Sequence, residues 1–169
     1  TMDPLELSAK HGADALRFSL IEKANPGQDV PFDEEWTKAA KKFGNKIWNA
    51  SKFVHIYTEN FDSTNFDEVK LVENRWIINQ FNKCLGQFNE LFDDYKISDA
   101  YKLLYNFLWS DLFDWYFEFS KNLVESDSTK KETQFVLLTV FTESLKILNP
   151  AIPHITEEIW STFNKNLLV

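Results

Sequence analysis

A length of 169 residues, 44% of them apolar, with only 4 glycines and 5 prolines, predicts a helical protein large enough to bury its own core. A single cysteine, Cys84, excludes an internal disulfide and a cysteine-based metal site, and it fits a reducing, cytoplasmic setting. The net charge of −8 argues against indiscriminate nucleic-acid binding, and the longest apolar run is too short to span a membrane.

Capping residues mark the first predicted helices. Asp3 before Pro4 predicts the start of a short helix, and Gly12 predicts its end. A second helix follows over 13–24 and stops at the Asn-Pro-Gly sequence of 25–27. Asp33 is then placed to cap a long helix that runs to about Thr58.

Apolar residues spaced three and four apart predict the helices of the second half. One covers about 67–94 and carries Cys84 on its apolar stripe, and the next begins at the potential cap Ser98 and reaches about 125. The sequence ESDSTKK at 125–131 is expected to break the chain before a helix that contains 133–148. A last short helix has Pro153 near its start. We therefore expect an all-α antiparallel helix bundle over 33–169, with 1–32 as a short helical appendage leading into it.

The segment from Thr37 to Thr58 differs in charge from the rest of the chain. It contains five lysines and no aspartate or glutamate, whereas the remaining residues include 13 basic and 26 acidic ones. Such asymmetry predicts a local anion-binding surface on an otherwise acidic protein.

On a helix of about 100° per residue this segment has two distinct sides. The predicted core side comprises Trp36, Ala39, Phe43, Ile47, Ala50, Val54 and Tyr57. The opposite side, which we call the basic face, comprises Lys38, Lys41, Lys42, Asn45, Lys46, Asn49 and Lys52. Phe53 falls inside the polar arc, roughly 60° from Lys38 and away from the apolar stripe.

Two interpretations of the basic face follow from the pattern. Lysines that neutralise phosphates, asparagine amides that bind base edges and an aromatic ring that stacks on an unpaired base are the components of single-stranded RNA recognition. Alternatively, the lysines form an ordinary solvated face and Phe53 packs under a neighbouring loop.

No catalytic or metal site is predicted. Asp111, Asp114 and Glu118 could be imagined as an acid and base pair, but no nucleophile or glycine-rich loop lies nearby in sequence. Their expected role is structural: they form a polar edge on a bundle helix, or they accept hydrogen bonds from helix-end amides and lysines. The three histidines are scattered and lack metal-ligand spacing.

Several stretches in order resemble the class I aminoacyl-tRNA synthetases. DPLELSAKHGADALRFSL resembles the segment that follows their catalytic Lys-Met-Ser-Lys-Ser loop, and PGQDVPFDEEW with KFGNKIWNASKFV resembles the start of their anticodon-binding domain. ENRWIINQFN, LYNFLWSDLFDWYFEFSK and LNPAIPHITEEIW continue the resemblance. The Gly-Gln-Asp loop and the Asn-Lys-x-Trp-Asn-Ala motif are more similar to the valyl than to the isoleucyl or leucyl enzymes.

The resemblance implies a recognition domain of a longer ligase that joins valine to its tRNA with ATP. The ATP site would belong to a catalytic domain whose signature motifs this sequence does not contain, so no cofactor is expected here. The implied partners are the anticodon stem-loop of the valine tRNA and that catalytic domain, with the chain a monomer. The segment 1–32 would contact the tRNA stem, and apolar surface facing the catalytic domain is expected near Leu16, Phe18 and Trp160.

The resemblance also implies the anticodon contacts. Phe53 matches an aromatic residue that stacks on an anticodon base, and the matching polar positions on the same face are Asn45, Lys46, Asn49 and Lys52. Some relatives place arginines where this chain has Pro31 and Glu35, and Lys38 and Lys42 are expected to compensate. The alternatives are a helical protein-interaction module whose basic face meets an acidic partner, and the same domain of an isoleucyl or leucyl enzyme.

Overall fold

The computed structural model describes residues 3–24, 27, 29, 31–59, 61 and 68–163, and every regular element within them is helical. The α-helices are α1 (Pro4–His11), α2 (Ala13–Lys23), α3 (Glu34–Tyr57), α4 (Val72–Asp93), α5 (Ile97–Asn106), α6 (Phe117–Glu125), α7 (Asp127–Leu148) and α8 (Pro153–Phe163). A π-helical segment, Phe107–Tyr116, joins α5 directly to α6. The predicted all-α bundle is therefore confirmed.

The predicted caps of the first half are present. The Asp3 carboxylate accepts a hydrogen bond from the Leu5 amide at 2.8 Å, and the Asp33 carboxylate accepts one from the Glu35 amide at 3.0 Å. Gly12 ends α1 with φ of +96°, a conformation that side chains rarely adopt. Because these caps are local, the sequence located the ends of α1 and the start of α3 correctly.

Other helices begin at different residues from those predicted, where tertiary contacts involve the start of the helix. α4 begins at Val72 rather than near 67, and the Leu71 amide donates at 2.8 Å to the Glu132 carboxylate of α7. Ser98 lies inside the first turn of α5 and donates its hydroxyl to the Glu22 carbonyl instead of capping the helix. The predicted break at 125–131 is short, because α7 already begins at Asp127. Asp67 lies outside the described residues.

Helices α1 and α2 pack onto the bundle. α2 contacts α3, α5 and α8, and Phe18 is 1% exposed. Its ring lies 5.1 Å from that of Phe43 and 6.4 Å from that of Tyr101. Phe18 therefore lies in the core rather than on an exposed apolar surface, and the apolar surface expected near Leu16 and Trp160 stays a prediction. Whether 1–32 and 33–169 act as separate domains stays a prediction.

A buried polar network fixes the π segment against its neighbours. The Tyr116 hydroxyl donates to Asn74 Oδ1 at 2.6 Å, and Asn74 Nδ2 donates to Glu132 at 2.9 Å and to Thr133 at 3.3 Å. Tyr116 and Asn74 are both fully buried. Since buried polar groups are costly without partners, this network ties α4, the π segment and α7 in one arrangement.

Within the part of the chain that the structure describes, no helix is long and apolar enough to cross a bilayer.

Candidate nucleic-acid interface

Helix α3 presents the basic face to solvent along its length. Lys41, Lys42, Asn45, Asn49 and Lys52 are exposed, whereas Lys38 and Lys46 are half-buried. The core side is rotated slightly from the predicted one: Ala39 is exposed, and the additional buried residues are Thr37, Ala40 and Ser51. The structure thus brings the predicted polar residues together on one outward surface.

The centre of the basic face is free to bind a ligand. Among the described residues, Lys42, Asn45 and Asn49 have no hydrogen-bond or ion-pair partner. The Lys52 ammonium lies 5.7 Å from the centre of the Trp48 ring, and Lys41 donates at 3.4 Å to the Lys10 carbonyl, a neutral acceptor. Positive charge and amide groups are therefore available here without a competing carboxylate.

Lys38, at the N-terminal end of the basic face, is paired within the protein. Its ammonium lies 2.5 Å from the Glu35 carboxylate. The hydrogen bond with Glu35 raises the pKa of Lys38 and keeps it protonated. The charge of Lys38 is consequently offset by Glu35, one of the two positions at which some relatives were expected to carry arginine.

Lys46 is held by two groups of the π segment. Its ammonium lies 2.6 Å from Asp114 Oδ1 and 4.4 Å from the centre of the Trp109 ring. On a regular α-helix, residues five apart point roughly 140° away from each other. The π segment bonds residues five apart and thereby brings Trp109 and Asp114 to the same ammonium. The expectation that Asp114 accepts from a lysine is confirmed, and Glu118 likewise accepts from Lys121 at 2.6 Å.

Phe53 is half-buried at the border of the basic face, in a stack of rings. Its centroid lies 4.3 Å from that of Phe117, with the planes 12° apart, and 4.3 Å from that of Tyr57, with the planes 33° apart. Two rings this close and this nearly parallel cannot both fit over one face, so they cover opposite faces of Phe53. The exposed part of Phe53 is therefore its edge.

Trp48 is an exposed ring that the charge pattern of α3 does not single out. It is 37% exposed, and no ring of the described residues stacks on it. Trp48 lies between Asn45 and Lys52 along the solvent side of α3. The signal was available, because Trp48 falls roughly 80° from Lys38 on the helix, at the opposite border of the polar arc from Phe53.

Within the described residues, no three of His, Cys, Asp and Glu cluster closely enough to hold a metal ion. Cys84 is buried, as expected, and burial raises the pKa of its thiol to about 11. A protonated, enclosed thiol is a poor nucleophile.

The chain is similar to one part of much longer proteins. Residues 74–169 match the model of the family described as the anticodon-binding domain of tRNA ligase. Valine–tRNA ligase of Enterococcus faecalis is 40% identical over 163 residues, and that of Bacillus subtilis is 37% identical over 166. Each alignment covers 94% of this chain but 18% of the relative, so the chain spans about a fifth of their length.

A solved structure has the same fold over nearly the whole chain. It is a LeuRS–tRNA–LeuAMS ternary complex from Agrobacterium radiobacter K84, with a TM-score of 0.72 and 17% identity. The match covers 99% of this chain and 20% of that one. The family match covers more than half of the sequence, and the structural match extends the same fold over nearly all of it. The chain belongs to the family of anticodon-binding domains of tRNA ligases.

Proposed function

We propose that the chain is the anticodon-binding part of a cytoplasmic valine–tRNA ligase and that its basic face binds the anticodon stem-loop of the valine tRNA. Activation of valine with ATP and its transfer to tRNA would take place in another part of that enzyme. The specificity for valine is supported by the two valine–tRNA ligases at 37–40% identity. We further propose that this part acts as a monomer.

The observation that carries the proposal is the exposed centre of the basic face, which makes no contact with a carboxylate although the protein as a whole is acidic. Lys42, Asn45 and Asn49 have no partner among the described residues, and Lys41 and Lys52 make no ion pair there. The lysines of the basic face attract the phosphates of an approaching polyanion, whereas the negatively charged remainder of the protein repels them. This difference orients the polyanion towards the basic face. Asparagine amides offer both a donor and an acceptor to base edges.

An unpaired anticodon base needs a ring to stack on, and two rings border the face. Phe53 offers an exposed edge between Tyr57 and Phe117, whereas Trp48 is 37% exposed, with the Lys52 ammonium over its ring at 5.7 Å. We propose that Trp48 supplies the stacking surface and that Phe53 contacts the RNA only along its edge. Substitutions of Trp48 and of Phe53 can separate the stacking role from the edge contact.

The test is a titration of this chain with a fluorescently labelled valine anticodon stem-loop, followed by anisotropy at several salt concentrations. Three lysines without ion pairs, Lys41, Lys42 and Lys52, predict that log K falls with log salt with a slope of about −2 to −3. The double variant Lys42→Gln/Lys52→Gln should lose most of this dependence. Lys83→Gln on α4 is the matched control, since it removes one exposed lysine elsewhere.

The same titration separates the alternatives. Equal or tighter binding of isoleucine or leucine stem-loops would contradict the valine specificity. The RNA proposal would be contradicted if no stem-loop showed salt-sensitive binding. Binding of an acidic protein through Lys42 and Lys52 would then support the protein-interaction alternative.

A further inference from the structure

A groove with no assigned role lies between α4 and the helix formed by the π segment and α6. Its volume is about 460 Å³, and its lining, which we call the acid–aromatic groove, consists of Val72, Glu73, Trp76, Asp111, Trp115 and Phe119. Val72 is 77% exposed, Trp115 59% and Phe119 41%. These three are among the nine large apolar residues that are exposed in the described part of the chain.

The lining combines aromatic rings with carboxylates. The Phe119 ring lies 6.2 Å from that of Trp76 at 73° and 6.1 Å from that of Trp115 at 36°, so three rings surround the groove. Glu73 and Asp111 add two carboxylates, and neither has a hydrogen bond or ion pair among the described residues. Burial raises the pKa of Asp111, as expected for a carboxylate that lacks a cationic partner. Aromatic faces and carboxylates together favour lysine or arginine side chains and repel phosphate.

The same helical segment already holds a cation on its other side. There, Asp114 and Trp109 contact the ammonium of Lys46 at 2.6 Å and 4.4 Å. The groove side presents the corresponding pair, Asp111 and Trp115, with Glu73 in addition. On one side of the π segment, a lysine from α3 contacts a carboxylate and a ring. On the groove side, no described lysine or arginine forms an ion pair with Glu73 or Asp111.

We propose that the acid–aromatic groove binds a lysine or arginine side chain presented by another segment of the same tRNA ligase polypeptide. This inference rests on the proposed function, which places the chain within a longer ligase and leaves the α3 face open in the free enzyme. Relatives are about five times as long as the chain, so most of the surface of such an enzyme belongs to other segments. A tethered segment has a high effective concentration, and a shallow groove of this kind can then bind it stably.

The experiment measures whether the groove is covered in the full-length enzyme. Val72→Cys places a thiol on the rim while leaving the rings and carboxylates intact, and its maleimide labelling rate is compared between this chain and the full-length enzyme. Other reactive cysteines of the full-length enzyme are replaced by serine, and the buried Cys84 is retained. Ile56→Cys, 67% exposed on α3, is the control, because the face that receives tRNA must be open in the free enzyme.

The proposal predicts that Val72→Cys is labelled about tenfold or more slowly in the full-length enzyme, while the rate of Ile56→Cys changes little. Adding Glu73→Gln/Asp111→Asn, or Trp115→Leu, should restore fast labelling. Equal labelling of Val72→Cys in both proteins overturns the proposal. Protection that survives Glu73→Gln/Asp111→Asn also overturns it, because the covering contact is then apolar rather than cationic.

The remaining outcomes identify a different occupant. Protection that appears only when tRNA is added assigns the groove to RNA, and protection that grows with enzyme concentration assigns it to a second copy. Both overturn the intramolecular contact. The stem-loop titration uses α3 and does not involve the groove, so a failure of the proposed function is recognised separately.

Discussion

The ring of Phe53 lies 4.3 Å from that of Phe117 with the two planes 12° apart, so the aromatic residue that stood out on the basic face is engaged inside the protein. Phe53→Leu should lower the free energy of unfolding by about 1–3 kcal/mol, because it removes a ring stack and leaves a void. Trp48→Leu should lower it by less than about 1 kcal/mol, since Trp48 has no stacked ring. Urea denaturation followed by circular dichroism measures both.

RNA binding should show the opposite order. Trp48→Leu should weaken the stem-loop complex by on the order of 1–3 kcal/mol, the usual worth of one stacked base. Phe53→Leu should weaken it less, provided that the variant is assayed under conditions where it is folded. A Phe53→Leu variant that keeps its stability but loses RNA affinity would identify Phe53 as the stacking residue instead.

The Lys46–Asp114 pair predicts unequal contributions from the lysines of the basic face. Lys42→Gln should reduce the magnitude of the salt slope of stem-loop binding by about 1, and Lys46→Gln by clearly less, since Asp114 already offsets Lys46. Asp114→Asn should strengthen binding at low salt, because it frees Lys46 and removes a negative charge. Equal losses for Lys42→Gln and Lys46→Gln would mean that RNA displaces Asp114.

The buried hydroxyl of Tyr116 should be costly to remove. Tyr116→Phe leaves Asn74 Oδ1 without its 2.6 Å donor, and an unsatisfied buried acceptor costs about 1–3 kcal/mol. Tyr101→Phe is the matched control, because the Tyr101 hydroxyl makes only a 3.4 Å contact with the Ile147 carbonyl. Denaturant midpoints measured side by side should rank Tyr116→Phe as the less stable variant, and the reverse ranking would contradict the role of the network.

Asp14 links α2 to the start of α8. Its carboxylate accepts hydrogen bonds from the Ile155 amide at 2.7 Å and the His154 amide at 3.2 Å. Asp14→Ala should therefore cost about 1 kcal/mol and increase amide exchange in the first turn of α8. Asp3→Ala removes a cap of the same kind from α1 and should leave exchange in α8 unchanged. Undiminished protection of α8 in Asp14→Ala would show that the cap is dispensable.

The Glu34 carboxylate predicts a pH dependence of stability. Hydrogen bonds from Lys10 and then His11 lower the pKa of Glu34 from 4.5 to about 2. Since the pKa is lower in the folded state, the stabilisation is fully present above about pH 4.5 and is lost as the pH falls towards 2. The difference in urea midpoint between the wild type and Glu34→Gln should shrink over that range. Glu118→Gln, whose carboxylate pairs only with Lys121 among the described residues, is the control, and a difference for Glu34→Gln that is constant with pH would contradict the assignment.

The candidate site could be predicted only in part. The sequence located the basic face because lysines and asparagines repeat with the period of one helix, and that period depends on nothing outside α3. It could not predict that Lys46 is neutralised, since Asp114 lies 68 residues away and reaches it through π-helical geometry. It did not single out Trp48, because a helical projection gives the direction of a side chain but does not show whether a neighbouring helix covers it.

The sequence by itself determined the all-α class, the caps at Asp3 and Asp33, the turn at Gly12 and the absence of acidic residues from 37–58. Each depends on hydrogen bonds or spacings within a few residues, which the order of amino acids specifies directly. Only the tertiary structure decided where α4 begins, how Phe53 is buried and which carboxylates meet a cation. Those outcomes depend on groups such as Leu71 and Glu132, 61 residues apart, whose contact exists only once the helices have packed.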